Sequence, residues 1–232
     1  TAKHIKTNFP EITVLNGDGF FFWGGAVKSG IEYAIKISKP NDWVLLVNND
    51  IELSETAVSE LILISERENR RAVVGSLSIS AIDRKTIIKS GTIVKNWFLN
   101  KTFHVYANLT LDNRFNLEPV KVDFITGRCL LHPIEIFKNV GNYDSKNFRH
   151  YGADDEFSIR LKKFGYSVLL CPSSIIFLKP NEHKVYSRYN LVELYKTLFS
   201  IKSSSNIVNK FKLSLKVAPF YSKFSFFLIG VF

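Results

Sequence analysis

Three short stretches hold residue types that could do chemistry. In Asn48-Asn49-Asp50, amide and carboxylate oxygens follow an apolar run, Trp43–Val47. Polar groups just past the carboxyl end of a sheet strand lie in the usual ligand crevice of an α/β fold. A carboxylate there can hold Mg²⁺ or Mn²⁺ through oxygen. The same residues also suit a plain Asx turn that ends a strand. In Asp154-Asp155-Glu156, three acids stand together at the start of a predicted helix. They complement the helix dipole. They also repel one another, and a carboxyl whose pKa is raised in this way suits a general base. The third stretch runs from Gly17-Asp18-Gly19 to Trp23-Gly24-Gly25-Ala26, ahead of a helical pattern. Free backbone N–H groups at a helix start, near Gly24 and Gly25, suit a phosphate, and Lys28 in the first turn adds a point charge. This Gly-rich pattern is neither a Walker loop nor a Rossmann fingerprint, and a tight loop would explain it equally.

Gly127-Arg128-Cys129 falls within a predicted strand, Val122–Leu131. A mid-strand Gly points to close approach by a ligand or backbone. An Arg in an apolar strand needs a partner, either one of the acids or an anionic substrate. The five histidines (His4, His104, His132, His150 and His183) show no metal-ligand spacing. Two cysteines, Cys129 and Cys171, exclude a disulfide-rich scaffold and a four-Cys zinc site.

The elements that must position these groups alternate strand and helix. Ile12–Leu15 is a short apolar run closed by a turn cluster. Val27–Ser38 has helical spacing and stops at Pro40-Asn41. Trp43–Val47 reads as a buried strand, apolar on both faces. Ser54 is placed to cap a helix carrying Val58, Leu61 and Ile62. Ala72–Ser80 and Lys85–Val94 read as strands paired about Asp83-Arg84. Pro133 opens a short helix closed by Gly141, and Asp154–Phe164 is a helix closed by Gly165. Tyr166–Leu170 and Ile175–Leu178 are short strands about Pro172. This alternation argues for an α/β sheet with helices on its faces.

Of 232 residues, 46% are hydrophobic and 22% charged, a composition that can bury a core. The net charge of +10 suggests an anionic partner. Much of it lies after Asn181, where eight Lys and Arg face two Glu, interleaved with aromatic and aliphatic residues. That segment reads either as a solvated helical tail or as an interfacial helix for an anionic membrane surface. With no nucleic-acid motif beside the charge, nucleic acid is not an expected partner. No apolar stretch is long enough to span a bilayer. The chain has no Met and begins with Thr1, which suggests a processed protein or a piece of a longer one.

Taken in order, these segments resemble the family 2 glycosyltransferases, which have the GT-A fold. Asn16–Ile31 looks like the family's loop and helix beside the nucleotide-sugar diphosphate. Leu45–Asp50 looks like the strand that ends in the metal-binding Asp motif. Phe124–Leu131 is similar to the acceptor-side strand, and Val140–Asp144 through Tyr151–Arg160 to the segment with the catalytic base. The resemblance covers about residues 5–200 and implies an α/β, GT-A-like mixed sheet flanked by helices over 1–180. It further implies that the family's first strands are missing before Thr1, and a basic helical tail follows over 181–232.

The implied activity is inverting transfer of a sugar from a nucleoside-diphosphate sugar to an acceptor hydroxyl of a glycan or lipid-linked molecule. Bacterial surface polysaccharide synthesis is the implied setting, and the cytoplasm, at the inner face of the plasma membrane, the implied location. Asp154 takes the base position and Glu156 the second acid. Gly24, Gly25, Lys28, Asn48 and Asn49 fall on the donor side, and Gly127 and Arg128 on the acceptor side. Asp50 would hold Mg²⁺ or Mn²⁺, with His183 as the candidate histidine ligand. Two other readings stay open on sequence: a nucleotidyltransferase with a similar sheet, and a non-catalytic nucleotide- or glycan-binding fragment.

Overall fold

A computed structural model describes residues 2–88, 90–112, 117–179 and 191–231 of the chain. After α1 (Ala2–Asn8), the chain passes through a turn-rich loop into α2 (Phe22–Ile37). Strands β1 (Trp43–Val47) and β2 (Ile51–Leu53), helix α3 (Ala57–Arg67) and strand β3 (Ala72–Ser80) follow. Next come β4 (Gly91–Asn96), β5 (Lys101–His104), β6 (Val120–Lys121), β7 (Phe124–Ile125) and β8 (Cys129–Pro133). Two helices, α4 (Glu135–Asn139) and α5 (Ala153–Lys163), lead to the long strand β9 (Ser167–Leu178). The C-terminal part holds α6 (Leu191–Phe199), α7 (Ile207–Val217), a short 3₁₀ turn at Phe220–Ser222 and α8 (Lys223–Val231).

The main sheet has the order β1-β8-β3-β9-β2, with β6 pairing on β9 beside β2. Strand β3 runs parallel to β9 and antiparallel to β8, and β1 is antiparallel to β8, so the sheet is mixed. A second, antiparallel sheet has the order β5-β4-β7.

Strand β3 is central and buried over all but its last residue. Its side chains alternate between faces, as the period of two requires. Val73, Leu77 and Ile79 join Ile31, Phe148, Phe157 and Leu161 under α2 and α5. Ala72 and Val74 join Leu61, Ile64, Leu131 and Leu169 under α3. The result is three layers with the sheet in the middle, and full burial of a side chain such as Phe157 contributes about 2–3 kcal/mol.

Several sequence expectations are corrected here. Strand β1 has the predicted bounds but is only half-buried, because it lies at the edge of the described sheet. Ile12–Leu15 forms no strand. Ser54 does not cap α3: the helix begins at Ala57, whose N–H bonds the Ser54 carbonyl, and the buried Ser54 hydroxyl has no partner. Among the described residues, Lys85–Val94 meets β3 in a bridge at Ile79 and Ile87, after which β4 joins the second sheet. The strands expected on either side of Pro172 are one strand, β9, which bulges between Cys171 and Ile175 opposite Ser76 and Leu77.

The C-terminal helices pack onto the α/β body. Val217, Ala218 and Phe226 share a buried cluster with Phe124 of β7 and Ile159 of α5. Lys216 adds an ion pair with Asp144 at 2.7 Å. Among the described residues, no helix is long and apolar enough to cross a membrane.

Candidate active site

The site follows from one strand register. Strands β1 and β8 pair with Val47 opposite Cys129, so the turn after β1 must lie beside the turn before β8. The Asn48 amide donates to the Arg128 carbonyl at 2.9 Å and fastens the two turns together. Gly127 and Arg128 thus sit in a turn between β7 and β8, not within a strand as the unbroken apolar run suggested. The chain must break there because β7 belongs to one sheet and β8 to the other.

Helix α5 is aimed at this turn. It starts after Gly152, whose φ of +87° is the left-handed conformation that favours glycine. Acids fill its first turn and cations its last, which suits the helix dipole. The Gly127 amide donates to Asp154 Oδ2 at 3.1 Å, and the Asp155 amide to Oδ1 at 3.1 Å. Gly127 is required by packing: a Cβ there would lie 2.3 Å from the Trp23 ring. Trp23 Nε1 in turn donates to Asn48 Oδ1 at 3.1 Å. Trp23 therefore ties α2 to both turns, and sequence reasoning gave it no role, although a large ring beside Gly24-Gly25 was the available signal.

The electrostatics link the two acids. Burial pushes the Arg128 guanidinium down from its ordinary pKa, and the charges of Asp50 and Asp154 pull it back up. Arg128 thus lies within electrostatic reach of both carboxylates. Asp154 is pushed above the ordinary carboxylate range, chiefly by burial; the Gly127 and Asp155 amides and Arg128 oppose the shift. Asp50, by contrast, stands exposed on the turn between β1 and β2, next to the exposed Asn49. The predicted pair of acids therefore meets across Arg128, one in water and one withdrawn from it.

Glu156 does not join them. It lies two residues on from Asp154, roughly 200° around the helix. It is buried, and both its oxygens are held by Arg160, from Nε and Nη2 at 2.9 Å each. Arg160 also donates to the carbonyls of Val140 and Asn142, so Glu156 helps to clamp the loop before α5. The contacts of Glu156, expected as the second acid, are those of a structural ion pair with Arg160.

The amides of Gly24 and Gly25 are not free either. Gly24 N–H donates to the Arg149 carbonyl at 2.7 Å, and Gly25 N–H to the Phe21 carbonyl at 2.9 Å. Helix α2 begins at Phe22, five residues before the predicted start, so these glycines lie inside it. Lys28 consequently sits in the second turn rather than the first, with Glu32 3.6 Å away. A cleft of about 350 Å³ borders the helix start, lined by Asn16, Gly17, Gly19, Phe21, Phe22 and Ser29 among others. Neither aspartate lines it.

A buried pair that the sequence did not single out lies in the core near Asp154. His132 Nε2 and the Tyr143 hydroxyl are 3.0 Å apart and both side chains are buried. Burial raises the Tyr143 hydroxyl pKa well above its ordinary value, with the Asp154 charge adding to the shift.

For a divalent cation, the described residues offer the Asp50 carboxylate with the amide oxygens of Asn48 and Asn49 nearby. No described group of three or more His, Cys, Asp or Glu could hold a metal. An exposed carboxylate fits Mg²⁺ when substrate phosphates and water supply the other oxygens, the usual mode for that ion. His183 lies outside the described residues.

The main sheet and its flanking helices define a GT-A-like α/β fold. The chain superposes on the crystal structure of GalNAc-T7 with UDP, GalNAc and Mn²⁺ with a TM-score of 0.57, over 84% of this chain and 38% of that one, at 14% identity. It is 25% identical over 206 residues to the N-acetylglucosaminyl-diphospho-decaprenol L-rhamnosyltransferases of two Mycobacterium tuberculosis strains. The match takes in 81% of this chain, which spans 64% of the length of those relatives. No family model matches.

Proposed function

We propose that this chain is the sugar-transferring part of an inverting, family 2-type glycosyltransferase. The observation that supports the reading is the Gly127-Arg128 turn: the Arg128 carbonyl accepts from the backbone amide of Asn48, two residues before Asp50, and the Gly127 amide donates to Asp154, with the Arg128 guanidinium in electrostatic reach of both acids. The acceptor hydroxyl oxygen attacks the anomeric carbon while its proton passes to Asp154. The bond from that carbon to the diphosphate breaks, and the electron pair leaves on the diphosphate. Attack from the face opposite the leaving group inverts the anomeric centre. A carboxyl held above its ordinary range is the better base near neutral pH, and such help is typically worth ~10²–10⁴-fold. The backbone amides and the Arg128 charge oppose the rise that burial causes.

Asp50, with Asn48 and Asn49, would hold Mg²⁺ or Mn²⁺ on the donor side, where a bound cation supplies charge neutralisation for the departing diphosphate. The donor is a nucleoside-diphosphate sugar. The acceptor class is a glycan or a lipid-linked sugar, of the kind named for the mycobacterial relatives, at the cytoplasmic face of the membrane. Calorimetric titration with uridine and guanosine diphosphates, each with and without Mn²⁺, tests the reading. Binding of one diphosphate, strengthened by Mn²⁺ and lost in Asp50→Asn, is expected. No binding in any combination would overturn it.

A further inference from the structure

Helix α7 is apolar on two sides. Its inner side, through Ser214 and Val217, is buried on the α/β body. Its outer side carries Val208, Phe211 and Leu215, all exposed, at spacings of three and four that make one stripe. A helix at a protein surface ordinarily presents polar residues outward. The next segment continues the anomaly: Phe220 is 91% exposed, Phe224 74% and Tyr221 70%. The Phe211 and Phe227 rings meet edge-on at 5.3 Å and join the two outward faces. A lysine borders this apolar surface, Lys223, whose Nζ lies 6.0 Å from the Phe220 ring centroid, and Lys196 and Lys202 are exposed on the preceding helix and loop.

We infer that the outer face of α7, the 3₁₀ turn and α8 is a docking surface for an anionic lipid bilayer. Exposed aromatic rings flanked by lysines match both parts of such a surface: the rings enter the boundary between headgroups and acyl chains, and the ammonium groups meet lipid phosphates. A soluble polyanion would satisfy the lysines but leave the rings in water. The placement serves the site. Helix α7 packs beside the start of α5: the Leu213 side chain would lie 3.7 Å from a Cβ at Gly152, two residues before Asp154. Docking would therefore hold the site next to the membrane. The inference stands on these residues alone and does not need the glycosyltransferase reading.

Flotation with lipid vesicles tests it, since the readout requires no transfer activity. The chain is expected to float with phosphatidylcholine vesicles containing phosphatidylglycerol, and at least tenfold less with phosphatidylcholine alone, each lysine at the surface being worth about fivefold. The triple substitution Phe220→Ser, Tyr221→Ser and Phe224→Ser should cut recovery on anionic vesicles by tenfold or more. Its circular dichroism should not change, because these side chains are exposed. Lys196→Gln with Lys202→Gln and Lys223→Gln should remove the preference for anionic lipid. Wild-type recovery that is equal on the two vesicles, or absent from both, would overturn the inference, as would a triple serine variant that floats like wild type. A chain that ignores vesicles but forms a dimer dissociated by the serine substitutions would assign the face to self-association instead.

Discussion

The backbone amide of Gly127 donates to Asp154 Oδ2 at 3.1 Å, joining the turn before β8 to the first turn of α5. The bond sets the direction of the carboxyl without neutralising it. Asp154 thus keeps lone pairs for a proton while its position is fixed by two amides, those of Gly127 and Asp155. Asn at this position can accept from one amide but carries no basic oxygen. Asp154→Asn is expected to lower the transfer rate by ~10²–10⁴-fold. Nucleoside diphosphate affinity should stay within about twofold, since Asp154 is assigned no role in donor binding. Steady-state kinetics beside calorimetry would check this, and unaltered transfer would reject Asp154 as the base.

Arg128 is one of the groups that oppose the effect of burial on that base, after the Gly127 and Asp155 amides. Its charge lowers the Asp154 pKa against the rise caused by burial. Replacing it by Gln removes the opposing charge, so the Asp154 carboxyl should titrate at higher pH. The acid limb of the pH–rate profile should move upward in Arg128→Gln. The sign for stability follows from the same shift. A carboxyl whose folded-state value lies above the unfolded one costs stability as pH rises through it. Arg128→Gln should therefore unfold more readily than wild type at pH 7 than at pH 4, as urea titrations at the two pH values would show.

Glu156 offers the contrasting case. Its carboxylate is buried and doubly bonded to Arg160, whose side chain stays 21% exposed. Glu156→Gln leaves the guanidinium with two carbonyl partners but no counter-charge. The expected loss is about 2–3 kcal/mol in urea unfolding. Below its lowered melting temperature the variant should keep its pH–rate profile, because Glu156 does not reach the site. A shifted acid limb would return Glu156 to the chemistry.

The sequence made the two aspartates legible because their neighbours announce them: a strand ends before Asp50, and a helix starts at Asp154. Strand β1 and helix α5 could be located from periodicity and breakers alone. What brings the acids together was not legible. It depends on the antiparallel register of β1 on β8, a pairing of residues more than eighty positions apart. The same long-range packing moved the start of α2 back to Phe22. It also turned the apparent free amides of Gly24 and Gly25 into internal bonds. Glu156 took the second-acid position from the resemblance, and its pairing with Arg160 was not legible, since a helix turns residues two apart to opposite sides.

His132 gives the fold its own pH sensitivity. Burial lowers its pKa to about 4, against the pull of backbone groups of Val44 and Leu130. In the unfolded chain the imidazole titrates near its ordinary value of about 6.5. Between these two values the unfolded chain takes up a proton that the folded one resists, so stability falls as pH drops through that window. The loss is on the order of 3 kcal/mol by pH 4. His132→Gln, whose amide can still meet the Tyr143 hydroxyl, should flatten urea midpoints measured between pH 7 and pH 4. An unchanged slope would show that other groups dominate acid unfolding.

Two glycines of one helix should respond to alanine in opposite directions. In α2, a Cβ at Gly24 would lie 2.4 Å from the Phe148 carbonyl oxygen and 3.1 Å from that of Arg149. Both neighbours are backbone, so no rotamer change can clear them. Separation would also break the 2.7 Å bond from the Gly24 amide to the Arg149 carbonyl. Overpacking costs about 1–3 kcal/mol and the orphaned buried bond a similar amount. The better helix propensity of alanine returns only about 0.8–1.0 kcal/mol. Gly24→Ala should thus destabilise by roughly 1–5 kcal/mol net. It should also pull Trp23 away from Gly127, which indole fluorescence would register. At Gly30, two turns along, a Cβ would meet nothing within 4 Å. Gly30→Ala then keeps the propensity gain and should stabilise the chain by about 0.8–1.0 kcal/mol. Urea unfolding of the two variants should show midpoints on either side of wild type. Midpoints that move the same way would mean that α2 does not meet the Phe148–Arg149 backbone at Gly24.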